Sequence, residues 1–305
     1  MPMSTHVERY VALKRGLGCS FTDQAQMLEK FSAFADRHGD EFTSSARMVA
    51  WASMASSPCR SGEWLRVARN FAIAMHAEDD RHEIPSRDVF GKVKRRRPPP
   101  HIIAAADIER IMRAALTLPP VASLTPYTYH YLFGVLAATG LRVSEAIGLF
   151  QTDVTLDGLL IRETKFHKTR LVPIDQSTRG ALEEYLVLRR RIGGEDPHLY
   201  VLSTGIPPDR TSVSRAFIRL AREVGLRGDA GVHGPRLHDL RHSFAVRSLE
   251  RCGGERAAID RHMLALSTYL GHACLSDTYW YLEATPVLVR QIAAATEAFR
   301  EGGAP

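Results

Sequence analysis

The feature that most restricts this chain is the run Gly91-Lys-Val-Lys-Arg-Arg-Arg-Pro-Pro-Pro100. Three successive prolines remove backbone donors and favour an extended, polyproline-like conformation. Regular structure cannot run through such a segment, so the 305 residues are expected to fold as two bodies joined by a stiff strap. Five of the six residues from Lys92 to Arg97 are basic: Lys92, Lys94, Arg95, Arg96 and Arg97. A strap of this kind is either a solvated linker or a strip laid along a phosphate backbone. The boundaries that follow are a first domain over 1–91, a linker over 92–101 and a second domain over 102–305.

Apolar residues recur at helical spacing in the first domain. Val11, Leu13 and Leu17 open the pattern, and Met27, Leu28, Phe31 and Phe34 continue it behind a helix start at Phe21-Thr-Asp23. Further helices are expected over 44–54 and 64–75, with Gly18, Gly39 and Pro58 at the joints. The second domain begins with helical patterns over 105–116 and 127–138, the latter ended by Gly140. Asp157-Gly158 between two β-prone runs signals a hairpin. A third short strand is expected over 170–174, after the polar turn Lys165-Phe-His-Lys-Thr169, and helices resume near Gln176. The fold class is therefore mainly α: an N-terminal helical bundle and a C-terminal mixed α+β domain with a small three-stranded antiparallel sheet.

Composition narrows the function only slightly. A 45% hydrophobic and 24% charged chain is neither disordered nor fibrous. Residues 1–100 carry 16 basic against 12 acidic side chains, so four of the six net positive charges lie in the first half and strap. That balance permits nucleic-acid binding without requiring it. Cys19, Cys59, Cys252 and Cys274 form no C-x-x-C pair and read as reduced thiols of a cytoplasmic protein. The first ten residues lack the apolar core of a signal peptide, and no run of about 18 apolar residues suggests a membrane span.

Four segments of the second domain carry the chemistry. They are Thr139-Gly-Leu-Arg-Val-Ser-Glu145, the turn holding Lys165, His238-Asp-Leu-Arg-His-Ser-Phe244, and Leu270-Gly-His272 with Tyr281 nine residues further on. In order and spacing over roughly 105–285, they resemble the boxes of the tyrosine recombinases, the phage integrase family that includes the Xer and Cre recombinases. T-G-L-R-x-S-E supplies Arg142, H-x-L-R-H-x-F-A supplies His238 and Arg241, and L-G-H with its following tyrosine supplies His272 and Tyr281. Lys165 falls in a K-x-x-K-x-R-x-V-P turn. The helical first domain is similar in position and character to that family's core-binding domain, which contacts DNA. The segment Tyr279-Trp-Tyr-Leu-Glu-Ala-Thr-Pro286 looks like recombinases of bacterial mobile elements.

The resemblance implies site-specific cutting and rejoining of double-stranded DNA through a 3′-phosphotyrosine, on a tetramer of like or unlike protomers, with no cofactor or metal. The residue types suit that chemistry. A phenol with a pKa of about 10 must lose its proton as it attacks phosphorus. Two permanently charged, planar guanidiniums, Arg142 and Arg241, match the non-bridging phosphate oxygens. His272 adds a hydrogen bond to the phosphate. His238 is suited to take or relay the phenol proton, and Lys165 to protonate the leaving 5′ oxygen. Glu145, one turn after Arg142, is expected to orient Arg142 or a neighbouring histidine. The family's final helix often docks on a neighbouring protomer, and residues 287–299 carry a compatible apolar spacing.

Several residues compete for these roles. Lys168 shares the turn of Lys165. Tyr269 and Tyr279 lie near Tyr281, which is preferred for its distance from His272. His238 and His242 at i and i+4 could suggest a metal pair, but a zincin helix needs H-E-x-x-H, whereas Asp239 follows the first histidine here. His242 is instead expected to pack or to hydrogen-bond. A type IB topoisomerase would place its nucleophile in an S-K-x-x-Y context, absent at Ser276-Asp-Thr-Tyr-Trp-Tyr281. A silent DNA-binding regulator would be expected to lack one of the catalytic side chains, and none is missing. A metallohydrolase would lose its activity in EDTA.

Overall fold

A computed structural model describes residues 1–91, 100–164, 168–192, 194–229, 231–252, 256–271, 274 and 276–283. The chain divides into two compact units, Met1–Pro98 and Pro99–Pro305.

The first unit contains α1 (Met3–Gly16), α2 (Thr22–Asp36), α3 (Ser45–Ser53) and α4 (Pro58–His76). Their apolar faces enclose Leu28, Phe31, Met48, Trp51 and Phe71, with Phe31 meeting Trp51 and Phe71 edge-on. The helix expected from residue 64 begins instead at Pro58. Proline fits a first helical turn, where its missing N–H has no intrahelical partner to lose, and the Ser57 hydroxyl caps it by accepting from the Arg60 N–H. On α1 the buried face is Met3, Val7, Tyr10 and Val11, while Leu13 and Leu17 are 56% and 67% exposed. The stripe therefore begins about two turns earlier than the spacing of Val11, Leu13 and Leu17 suggests.

The second unit is mainly helical with a small three-stranded antiparallel sheet, as expected from the sequence. Helices α5 (Ala105–Ala115), α6 (Leu124–Thr139) and α7 (Val143–Ile147) lead to strands β1 (Val154–Thr155), β2 (Gly158–Thr164) and β3 (Lys168–Val172), ordered β1-β2-β3. Then follow α8 (Gln176–Ile192), α9 (Arg210–Glu223), α10 (Asp239–Glu250), α11 (Arg256–Leu270) and α12 (Ser276–Glu283). Helix α6 is apolar over most of its surface and packs against α5, α8 and α10, which makes it the centre of the core. A second cluster joins α10, α11 and α12 through Val246, Leu249, Met263, Leu266, Leu270 and Tyr281. Among the described residues, no helix is long and apolar enough to cross a membrane.

Candidate active site

The site is built around the C-terminal end of α11. The last carbonyls of a helix have no intrahelical donors and carry the negative end of its dipole. Here three consecutive ones are taken by three arginines from different parts of the chain. Arg170 Nε donates to the Tyr269 carbonyl at 3.1 Å, Arg241 Nη2 to Leu270 at 2.9 Å and Arg142 Nη2 to Gly271 at 2.9 Å. Gly271 adopts φ +66°, a left-handed conformation that suits glycine and turns the chain out of the helix.

Each arginine is delivered by a local device. Helix α6 ends at Gly140 in the left-handed region, and the chain then enters α7 with Arg142 in the N-cap position. The Glu145 carboxylate reaches back to accept from the Arg142 backbone N–H at 2.9 Å and from its Nη1 at 2.8 Å. Arg241 sits in the first turn of α10, is 3% exposed, and also donates from Nη1 to the Gly140 carbonyl at 2.7 Å. Arg170 projects inward from β3 and donates to both Glu145 oxygens, at 3.1 and 2.9 Å.

Two guanidiniums, those of Arg142 and Arg170, thus share one carboxylate, with Arg241 held on carbonyls beside them. Burial pushes the Glu145 carboxyl up, but hydrogen bonds from Arg170 and then Arg142 outweigh it and hold the group below its ordinary value. Burial, and next the charge of Arg142, lower Arg241 to about 10, so it stays cationic at neutral pH. The side chain of Arg142 remains a third exposed, which leaves an open edge on a site with excess positive charge.

The histidines and the tyrosine lie alongside. Arg236 and Asp239 form their own pair at the head of α10, with the Asp239 carboxylate also accepting the Arg236 backbone N–H. The rings of His238 and His242 meet edge-on, with centroids 4.5 Å apart. His238 keeps an exposed edge, yet burial and then the charge of Arg241 hold it down at about 4. Burial lowers His242 further, to about 3. Both are neutral at pH 7. His242 Nδ1 lies 3.2 Å from the Tyr281 hydroxyl, and its Nε2 lies 4.0 Å from Asp239. With its proton on Nε2, toward the carboxylate, the His242 ring would leave Nδ1 to accept from the phenol. Tyr281 is 2% exposed, whereas Tyr279 is 48% exposed. Tyr269 stacks on Phe244 and directs its hydroxyl to the Pro173 carbonyl.

Of the residues expected from sequence, Arg142 and Glu145 meet directly, Arg241 rests on the carbonyl next to that of Arg142, and His238 and Tyr281 flank them through His242. Lys165 and His272 lie outside the described residues, as do Lys92, Lys94, Arg95, Arg96, Arg97 and the segment over 287–299. Two participants were not singled out for this site. One is Arg170, whose signal is an arginine on the inward face of a strand: Val172 on the same face is buried while Leu171 is 46% exposed. The other is the contact of His242 with Tyr281, which sequence reading leaves as a hydrogen bond to an unspecified partner. Among the described residues, no three His, Cys, Asp or Glu side chains are grouped so as to hold a metal ion.

Comparison with known proteins identifies the assembly. Residues 101–286 match the phage integrase family. Protein y4rB of Sinorhizobium fredii is 37% identical over 93% of this chain and 94% of its own. The tyrosine recombinase XerD of Brucella suis is 31% identical over 75% of this chain and 73% of its own. Among solved structures, the XerH site-specific recombinase bound to its difH substrate, in a post-cleavage complex, has the same fold. It is 18% identical, has a TM-score of 0.68, and the match covers 96% of this chain and 85% of that one. A lambda integrase dimer bound to a core site matches at a TM-score of 0.65 and 16% identity, over 92% of this chain and 77% of that one. With its helical architecture, its arginine cluster beside a tyrosine and relatives along nearly its whole length, the chain belongs to the phage integrase family and is a tyrosine-type site-specific DNA recombinase.

Proposed function

We propose that Tyr281 is the nucleophile and that Arg142 and Arg241 hold the scissile phosphodiester. The phenol oxygen attacks phosphorus, the O–P bond forms in line with the departing 5′ oxygen, and a 3′-phosphotyrosine and a free 5′ hydroxyl result. The phenol proton passes to the His238–His242 pair, with His242 in contact and Asp239 behind it. Lys165 gives a proton to the 5′ oxygen, and His272 adds a hydrogen bond to the phosphate. A 5′ hydroxyl from another strand then attacks the covalent link and returns the proton to the tyrosine. The bond energy is kept throughout, so the exchange consumes no nucleotide.

The observation that supports this reading is the seating of two guanidiniums on adjacent carbonyls of one helix end, beside a phenol, with a single carboxylate among three arginines. Such a site is short of negative charge, and a phosphodiester supplies one. The same anion would raise His238 and His242 from their depressed values toward a useful range. Because Tyr281 is buried in the free chain, DNA binding must bring its hydroxyl out to the phosphate. The first unit and the residues Lys92, Lys94, Arg95, Arg96 and Arg97 are assigned to backbone contacts that fix register on the duplex. Strand exchange is assigned to four protomers on two duplexes. The setting is the cytoplasm of a bacterium, and the task is integration, excision or resolution of a mobile element.

The test is covalent capture on a nicked suicide duplex made from DNA flanking the native gene. Tyr281→Phe should abolish the protein–DNA adduct, while Tyr279→Phe should keep it. The reverse pattern would overturn the assignment.

A further inference from the structure

We infer that Arg170 is a positioning residue for strand cleavage: it orients Arg142 through Glu145 and fixes the turn on which Arg142 and Arg241 rest. This deepens the reading above and depends on it. The argument begins with where the Arg170 donors go. A guanidinium has five N–H groups. In Arg170, Nε is committed to the Tyr269 carbonyl, Nη1 to Glu145 Oε1 and Nη2 to Glu145 Oε2. Every nitrogen is engaged inside the protein, and the side chain is only 16% exposed. Arg142 differs: its Nη1 and Nη2 are engaged, but a third of the side chain faces solvent. One arginine is thus shaped to meet a ligand and the other to hold its neighbours.

Glu145 is the intermediary. Its side chain is 7% exposed and accepts four hydrogen bonds, two from Arg142 and two from Arg170. A carboxylate held by Arg142 alone could pivot about that pair. The two parallel bonds from Arg170 define its plane, and that plane sets the direction of Arg142 Nη1.

Arg170 also fits against the turn. A Cβ at Gly271 would stand 2.9 Å from Arg170 Nη1 and 3.0 Å from its Cζ, so the guanidinium lies flat on the glycine. The same side chain therefore controls both supports of Arg142, the Glu145 carboxylate and the Gly271 carbonyl. The adjacent Leu270 carbonyl, which holds Arg241, belongs to the same turn. Strand β3, which carries Arg170, also begins three residues after Lys165 in the sequence.

The experiment uses the full chain and the same suicide duplex. It measures single-turnover adduct formation at saturating DNA, DNA affinity by anisotropy, and the thermal midpoint. Loss of a group that orients a functional side chain typically costs about 10- to 100-fold. Arg170→Ala should slow cleavage by about that factor while DNA affinity changes by less than about threefold. Arg170→Lys keeps the charge but cannot bridge both Glu145 oxygens and the Tyr269 carbonyl. It should be similarly slow while still unfolding cooperatively, and it carries the test if the alanine variant does not fold. In an Arg142→Ala background, adding Arg170→Ala should cost clearly less than it does in the wild type, because the share that acts through Arg142 is already lost. A wild-type rate for Arg170→Lys, or losses that multiply in the double variant, would overturn the inference. Failure of the underlying reading looks different: the unaltered chain would form no adduct, or Tyr281→Phe would still form one.

Discussion

Replacing Glu145 with glutamine preserves the shape of the side chain and removes one negative charge. The carboxylate accepts four N–H bonds from Arg142 and Arg170. A glutamine offers one oxygen in place of two, and its NH2 group must face arginine donors. At least two of the four N–H groups then lose their acceptor, and the guanidiniums of Arg142 and Arg170 lose the carboxylate between them. Removing one partner of a buried ion pair costs about 3–5 kcal/mol. Water can reach Arg142 and recover part of this, so the expected loss is about 3 kcal/mol. Glu145 is held below its ordinary pKa, so the wild-type carboxylate is fully charged at pH 7 and the comparison measures a real change of charge. Urea unfolding of both proteins gives the midpoint and the slope, and an unchanged slope makes the difference a stability. Repeating the titration in sodium sulfate separates charge from shape. Sulfate should recover more stability in Glu145→Gln than in the wild type, because only the variant has arginines short of an anion. A loss below about 1 kcal/mol, set against the 3–5 kcal/mol of a broken buried pair, or an equal response to sulfate, would refute the reasoning.

Two further outcomes follow from the same geometry. Gly140→Ala places a Cβ 2.5 Å from Phe244 Cδ1 and 3.1 Å from Leu270 Cδ2, at φ +61°. Left-handed strain and overpacking together should cost about 2–4 kcal/mol in urea, and wild-type stability would contradict this. The histidines set an acid limit. His238 and His242 have folded pKa values of about 4 and about 3, against an ordinary 6.5, so the unfolded chain binds more protons between these values. Their contribution is complete above pH 6.5 and is lost as pH falls toward the folded values. For His242 the slope is at most about 1.4 kcal/mol per pH unit, with His238 adding less because solvent screens it. His242→Asn should flatten the fall in stability between pH 6.5 and 5, and an unaltered slope would show that His242 is not its source.

How far the site was legible in sequence depends on the distance over which each contact acts. The relation of Arg142 to Glu145 is a one-turn relation, so spacing alone points to it, and Glu145 accepts from both the backbone and the side chain of Arg142. The hairpin follows from Asp157-Gly158, because few residues other than glycine tolerate the φ of +143° found at Gly158. Pro58 misled in the opposite sense: proline marks a break in the middle of a helix and a beginning at its first turn, and only the adjacent serine distinguishes the two. The part of Arg170 was hidden because its partners lie 25 and 99 residues away. Nothing in a strand of alternating residues says which inward side chain will meet a distant helix end. The partner of His242 was hidden for the same reason, since Tyr281 is 39 residues further along the chain.

The helix end that seats three arginines also dictates the order in which the site can form during synthesis. Arg142, Glu145 and Arg170 lie within 28 residues of one another and can associate as soon as β3 has been made. The carbonyls they finally rest on lie 99 and 129 residues downstream. Until α11 has left the ribosome, Arg142 and Arg241 lack the turn that aligns them, and Tyr281 is later still. A nascent or truncated chain can therefore carry most of the family's signature residues and still be unable to break DNA. With Tyr281 as the proposed nucleophile, competence would arrive only with the last fifth of the protein.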